Sequence, residues 1–162
     1  MSLPVAGRGG DSLSGTLLGF DFGEKRVGVA VGETETRLAH PITTIAEEAN
    51  DARLAAIGRL VAEWRPSGFV VGLPHLADGA EHEIARLASK FARRISQRFG
   101  LPVAFVDETL SSVEAHSRIR DGTARAGRRD DIDAHAAAVI LQSYLDNMDD
   151  IDANGDHGRT AA

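Results

Sequence analysis

The sequence predicts an α/β fold: one mixed five-stranded sheet, an antiparallel three-strand meander plus two parallel strands, with helices on both faces. Three observations predict it. Two short strand-like runs near the N-terminus, Thr16 to Phe22 and Arg26 to Val31, are separated only by Gly-Glu-Lys, the spacing of a hairpin. Two later runs, Gly68 to Leu73 and Pro102 to Val106, are continuously apolar and bounded by Gly or Pro, as buried parallel strands are. The segments between and after them carry helical periodicity. Alternation of strand and helix implies right-handed crossovers, which set the later strands parallel to the first.

The remaining elements follow in order. A third run, Leu38 to Ile45, contains Pro41, which cannot donate to a ladder, so this strand belongs at a sheet edge. Asn50 is suited to cap a helix to about Arg65, with Leu54, Ile57, Leu60, Val61 and Trp64 as its apolar stripe; Pro66 and Gly68 end it. A long helix from about Glu81 to Phe99 carries a stripe of Ile84, Leu87, Ala88, Phe91, Ile95 and Phe99, and Gly100 and Pro102 stop it. Ser111 and Glu114 form a capping box for a helix to about Arg120. A Gly/Arg-rich loop over Asp121 to Arg129 leads to a last helix from about Asp131 to Met148.

Composition bounds the function. A chain of 162 residues with 43% hydrophobic and 26% charged residues fits one soluble domain. Residues 16–146 are expected to fold, between a Gly/Ser-rich disordered leader (1–15) and an acidic disordered tail (147–162). Without Cys there is no disulfide framework, thiolate metal site or Cys nucleophile. No apolar run approaches the roughly 18 residues needed to span a bilayer, and the N-terminus lacks a signal-peptide stretch, so a cytoplasmic protein without membrane association is expected. The formal charge is -6, but Thr16 to Leu145 holds 16 basic and 18 acidic residues. The acidity is concentrated in the tail, and global charge does not exclude a nucleic-acid partner.

Acidic residues in apolar settings mark the candidate chemistry. Asp21 sits between Phe20 and Phe22 in a strand, where a carboxylate is costly unless paired, hydrogen-bonded or bound to metal. An ion pair with Lys25 or Arg26 would satisfy it without any function. Asp107 and Glu108 stand at the carboxyl end of the last strand, where open α/β sheets gather ligands, although Asp107 would also suit a turn. Asp133 precedes Ala137, Ile140 and Tyr144 at helical spacing and so shares their apolar face. Carboxylates meeting at one end of a sheet repel one another and call for cations. Oxygen ligands without Cys favour Mg²⁺ or Mn²⁺, which can activate a water and stabilise a leaving oxygen in phosphoryl displacement.

Four segments, GFDFGEKRVGVAVG (Gly19 to Gly32), VVGLPHLADGAE (Val70 to Glu81), VDETLSSVEA (Val106 to Ala115) and DAHAAAVIL (Asp133 to Leu141), together resemble the successive signatures of the YqgF/RuvX family. That family is of RuvC-like Holliday junction resolvases with an RNase H-like fold, also described as nucleases maturing the 5′ end of pre-16S rRNA. The resemblance runs from about Thr16 to Leu145. It implies that Asp21, Glu108 and Asp133 are the metal-binding catalytic carboxylates. Two departures stand out. Thr109 occupies the position of a family Arg that could hold a phosphate bidentately. The family Lys before the last catalytic Asp is absent, with Asp130 and Asp131 nearby and Arg128 and Arg129 slightly upstream.

Nucleic acid, as structured RNA or branched DNA, is the expected partner, with a pre-ribosomal particle as a larger one. Arg86, Lys90, Arg94 and Arg98 form an i, i+4 row on the long helix, with Arg93 beside it and no acid from Arg86 to Arg98. A second cluster, Arg118, Arg120, Arg125, Arg128 and Arg129, flanks the loop before Asp133. Lys25, Arg26, Arg94, Arg125, Arg128, Arg129 and His75 are the candidate contacts to substrate. A solvated helix face and a surface His are the plain alternatives. Aromatics are 5% of residues and fall mostly on predicted core faces, which disfavours a single-strand stacking platform. The FDFGEKRVGVAV segment also resembles the phosphate loop of actin-like ATPases, but those need two such domains and this chain has one. A catalytically silent RNA-binding protein is the other rival. A monomer would suffice for RNA trimming, whereas two-fold cleavage of a junction calls for a homodimer, if only a weak one.

Overall fold

The computed structural model describes residues 13–73, 79–107 and 129–148. In chain order the elements are β1 (Thr16–Asp21), β2 (Val27–Glu33), β3 (Leu38–Ile45), α1 (Asn50–Trp64), β4 (Gly68–Leu73), α2 (Gly79–Phe99), β5 (Val103–Asp107) and α3 (Arg129–Asp146). One sheet holds all five strands in the order β3-β2-β1-β4-β5. β1, β2 and β3 pair antiparallel, and β1, β4 and β5 pair parallel, as the strand patterns predict. Residues 1–12, the helix from Ser111, the Gly/Arg loop up to residue 128 and residues 149–162 lie outside the described residues; Leu13, within the expected leader, and Met148, within the expected tail, are buried in the core beneath the last helix.

Alternation in β1 decides the two layers. Leu18 and Phe20 join one core with α1 and α2, while Leu17 on the opposite parity joins a second core with α3. The first core is built around aromatic contacts: Phe20 meets Phe69 and Phe91 edge-on at 5.6 Å each, and Phe22 lies 5.3 Å from Phe91. Each fully buried Leu, Ile or Phe there contributes about 1.5–3 kcal/mol. The second core is made by the Ala-rich helix α3, whose Ala137, Ile140, Leu141 and Leu145 have no exposure. Its small side chains bring the helix backbone close to the sheet.

Pro41 is tolerated as expected, because β3 is an edge strand. The register passes from Val29↔Thr43 to Ala30↔Pro41, so Ile42 is an extra residue at a bulge. Gln142 of α3 ties this edge down: its side-chain oxygen accepts from the Ala39 N–H at 2.9 Å and its amide donates to the Arg37 carbonyl at 2.8 Å.

Some sequence expectations need correction. Asn50 does not cap α1; the N-cap is Ala49, extended at φ -70° and ψ 137° with no side-chain hydrogen bond, and Asn50 is the first helical residue. Trp64 is 37% exposed rather than part of the stripe, because burial falls along α1 from Ile57 through half-buried Leu60 and Val61. The hairpin link is longer than three residues. β1 ends at Asp21 and β2 starts at Val27, because the chain folds tightly there, leaving only 2.5 Å between a Cβ on Gly23 and the Arg26 carbonyl oxygen. α2 begins two residues earlier than expected, and the last helix starts at Arg129 and ends at Asp146.

Candidate functional site

Asp21 closes β1 at the carboxyl end of the parallel strands. Its parity is that of Leu17 and Gly19, so it stands on the α3 side of the sheet. Across the hairpin its register partner is Gly28. A Cβ built on Gly28 would lie 1.9 Å from the backbone oxygen of Asp133, so α3 rests directly on this glycine close to its start. Paired Cα atoms across antiparallel strands are about 4.5–5.5 Å apart. The β1 terminus and the α3 start, 112 positions apart in sequence, are therefore brought to one place.

Asp133 is partly exposed and accepts a hydrogen bond on Oδ2 from Arg26 Nε at 3.1 Å, with side-chain exposures of 26% and 30%. Arg26 ends the same turn that Asp21 begins. The ion pair thus fastens the hairpin to α3 at the candidate site. Lys25 is exposed within that turn.

Strand parity places Asp107, the first of the Asp-Glu pair. Asp107 shares its register with Leu73, which packs into the α1/α2 core, so Asp107 stands on the face opposite Asp21 and α3. Glu108, His75, Thr109, Arg125 and Arg128 lie outside the described residues, as does the side chain of Arg129, whose backbone begins α3. Among the described residues no three His, Cys, Asp or Glu side chains form a metal-holding group. The two described carboxylates of the predicted set, Asp21 and Asp133, do share a side and an end of the sheet. Their chemistry, hard oxygen donors beside a guanidinium and partly open to water, fits Mg²⁺ or Mn²⁺.

On α2 the predicted basic row is exposed at Arg86, Lys90, Arg93, Arg94 and Arg98. Arg86 is engaged: its Nη2 donates to Glu83 at 2.6 Å, and this hydrogen bond holds the Glu83 carboxyl below its ordinary pKa and lifts that of Arg86. Because Phe91 packs beside Phe22, Lys90 and Arg94 flank the part of α2 nearest the β1 terminus, on the opposite face of the sheet from α3.

One residue escaped the sequence reading. Arg53, on α1, is 4% exposed and lies under the Phe22–Arg26 turn. Its signal was present: it precedes Ile57 by one helical turn, inside the apolar stripe.

A mixed sheet in this order, with helices packed on both faces, has the RNase H-like architecture. Solved structures agree on the fold: RuvC of T. thermophilus in complex with a Holliday junction (TM-score 0.53, 16% identity, 83% of this chain and 96% of that one) and the yeast mitochondrial resolvase Ydc2 (0.56, 8%, 95% and 88%). Curated relatives are much nearer in sequence. Proteins of Paraburkholderia phytofirmans (51% identical, 93% of this chain and 97% of the relative) and Dechloromonas aromatica (54%, 82% and 92%) both bear the name "Putative pre-16S rRNA nuclease". The chain belongs to the RuvX family, described as Holliday junction resolvase, whose model matches residues 15–147. It is thus an enzyme of a nuclease family. No helix among the described residues is long and apolar enough to cross a membrane.

Proposed function

We propose that this chain is a divalent-metal-dependent endonuclease that processes the 5′ end of pre-16S rRNA during ribosome biogenesis in the cytoplasm. The observation that carries the catalytic part is the meeting of the β1 terminus and the α3 start at Gly28, which brings Asp21 and Asp133 to one end of the sheet. Glu108 as the third carboxylate rests on the resemblance of VDETLSSVEA to the family signature. The RNA substrate rests on the name shared by the relatives.

In this reading Asp21, Glu108 and Asp133 hold Mg²⁺ or Mn²⁺, which supplies activation of the attacking water and charge stabilisation at the leaving oxygen. Arg26 orients the Asp133 carboxylate through its Nε–H. Lys25 beside it, Arg125 and Arg128 before α3, Arg129 at its start, and His75 after β4 contact the substrate backbone, and Arg94 on α2 extends that contact. Residues 16–146 form the nuclease domain, flanked by 1–15 and 147–162. A pre-ribosomal particle is the natural carrier of the substrate, and a monomer suffices for the trimming.

Holliday junction resolution is the second reading, favoured by the family description and by the RuvC–junction complex among the fold neighbours. Side-by-side cleavage of a precursor 16S fragment and a four-way DNA junction, with Mg²⁺, Mn²⁺ or chelator, separates the two. Metal-dependent cleavage near the mature 5′ end of the RNA, with the junction intact, is expected. Junction cleavage with the RNA intact selects the second reading, and cleavage of neither overturns both.

A further inference from the structure

Arg53 is a buried cation whose hydrogen bonds among the described residues go to backbone carbonyls. Its Nε donates to the carbonyl of Glu47 at 2.9 Å and its Nη2 to the carbonyl of Glu24 at 2.9 Å. Its Cζ lies 5.7 Å from the centre of the Phe22 ring. Burial lowers its pKa, and the nearby Glu48 and Glu47 charges oppose that shift. A chain rarely buries a guanidinium without use, since the charge must be compensated by carbonyl dipoles, ring faces and nearby carboxylates.

The groups it holds define that use. Glu24 is in the turn between β1 and β2, Phe22 directly follows Asp21, and Glu47 belongs to the link from β3 into α1. One planar fork therefore ties the hairpin tip to the base of α1. From the other face, Arg26 at the end of the same turn reaches Asp133. The turn that begins after Asp21 and ends at Arg26 is clasped from both sides of the sheet, by Arg53 beneath and α3 above.

We infer that Arg53 is a positioning residue for the nuclease site, fixing the Phe22–Arg26 turn so that Asp21 and Arg26 meet Asp133. This rests on the reading of Asp21 and Asp133 as the catalytic carboxylates, and the test separates the two. A Lys there retains the charge but loses the two-carbonyl fork, and a Met retains only the volume. Amide hydrogen exchange of the full-length protein is compared for wild type, Arg53→Lys, Arg53→Met and Phe22→Leu, the last removing the ring face without touching the buried charge. Cleavage of labelled precursor RNA and four-way junction with Mn²⁺ is followed in parallel, with Asp21→Asn as reference.

The expected result is exchange over residues 22–26 faster by about tenfold in both Arg53 variants, and less so in Phe22→Leu, with β4 and the middle of α3 protected as in wild type. Turnover of the cleaved substrate falls roughly tenfold or more at little-changed KM, with Lys less impaired than Met. Unaltered exchange in the turn overturns the inference. So does faster exchange with unchanged turnover, which would leave Arg53 a purely structural residue. If Arg53→Met fails to fold, the Lys and Phe22→Leu variants decide by the same readouts. Full cleavage by Asp21→Asn would instead remove the catalytic reading, while exchange alone still decides whether Arg53 holds the turn.

Discussion

The backbone oxygen of Asp133 lies 1.9 Å from where a Cβ on Gly28 would stand. Only a glycine permits α3 to begin at that depth on the β1–β2 hairpin. Gly28→Ala must push the helix start away, because the obstacle is backbone and cannot rotate aside. Overpacking of this kind costs about 1–3 kcal/mol or more. Gly32→Ala would meet the Leu141 and Leu145 side-chain ends at 3.0 and 3.1 Å, which can partly yield, and the Leu38 carbonyl oxygen at 3.0 Å. Thermal denaturation should therefore rank Gly28→Ala as the more damaging, and Gly28→Ala alone should also lose cleavage under conditions where it remains folded. Equal losses from both would show that α3 gives way at Gly28 as readily as the contacts around Gly32 do.

Arg26 and Asp133 form a partly exposed pair, and such pairs contribute about 0.2–1 kcal/mol to stability. Arg26→Gln should accordingly change the denaturation midpoint little, and a double-mutant cycle with Asp133→Asn should return a coupling in that small range. Turnover should fall far more, by roughly tenfold or beyond, equivalent to about 1.4 kcal/mol of transition-state stabilisation. A loss of activity no greater than the loss of stability would reduce the pair to a surface contact.

Strand order, helix positions and the edge location of β3 were legible because each follows from local pattern: period-two or continuous apolar runs, 3.6-residue stripes, and Pro41 in a strand. Asp21 and Asp133 were legible as acids in apolar surroundings. Their meeting point was not, since it depends on Gly28 acting as a seat for a helix more than a hundred residues later. The Arg26–Asp133 bond spans 107 positions and leaves no periodic trace. Arg53 was passed over, despite its place in the apolar stripe one turn before Ile57, because an Arg on a helix reads by default as solvated, and its partners are backbone carbonyls, which every sequence has. Trp64 misled in the opposite sense: its spacing fits the stripe, but the last turn of α1 is less covered.

The Tyr144 hydroxyl accepts a buried hydrogen bond from the Leu13 N–H at 2.7 Å, joining the segment before β1 to α3. Tyr144→Phe preserves the ring and strands the amide. Leaving a buried donor unsatisfied costs about 1–3 kcal/mol. Urea denaturation should show that loss with an unchanged slope, whereas an unaltered midpoint would mean that water replaces the hydroxyl.

Lys90, Arg94 and Arg98 repeat at one-turn spacing on an exposed face of α2. If they contact phosphates, changing all three to Gln lowers the slope of log affinity against log salt by about 0.7–0.9 per lost contact. Arg86→Gln should have less effect, because that guanidinium is already bound to Glu83. An unchanged salt slope in the triple variant would return the row to ordinary solvated surface.

Asp21 tests the central claim most directly. Cleavage of precursor 16S RNA by wild type and Asp21→Asn, with Mg²⁺ or Mn²⁺ and with chelator, should show metal-dependent activity in the first and none in the second, at matched circular dichroism and melting temperature. Metal-dependent cleavage that persists at the wild-type rate in the folded Asn variant would contradict the account.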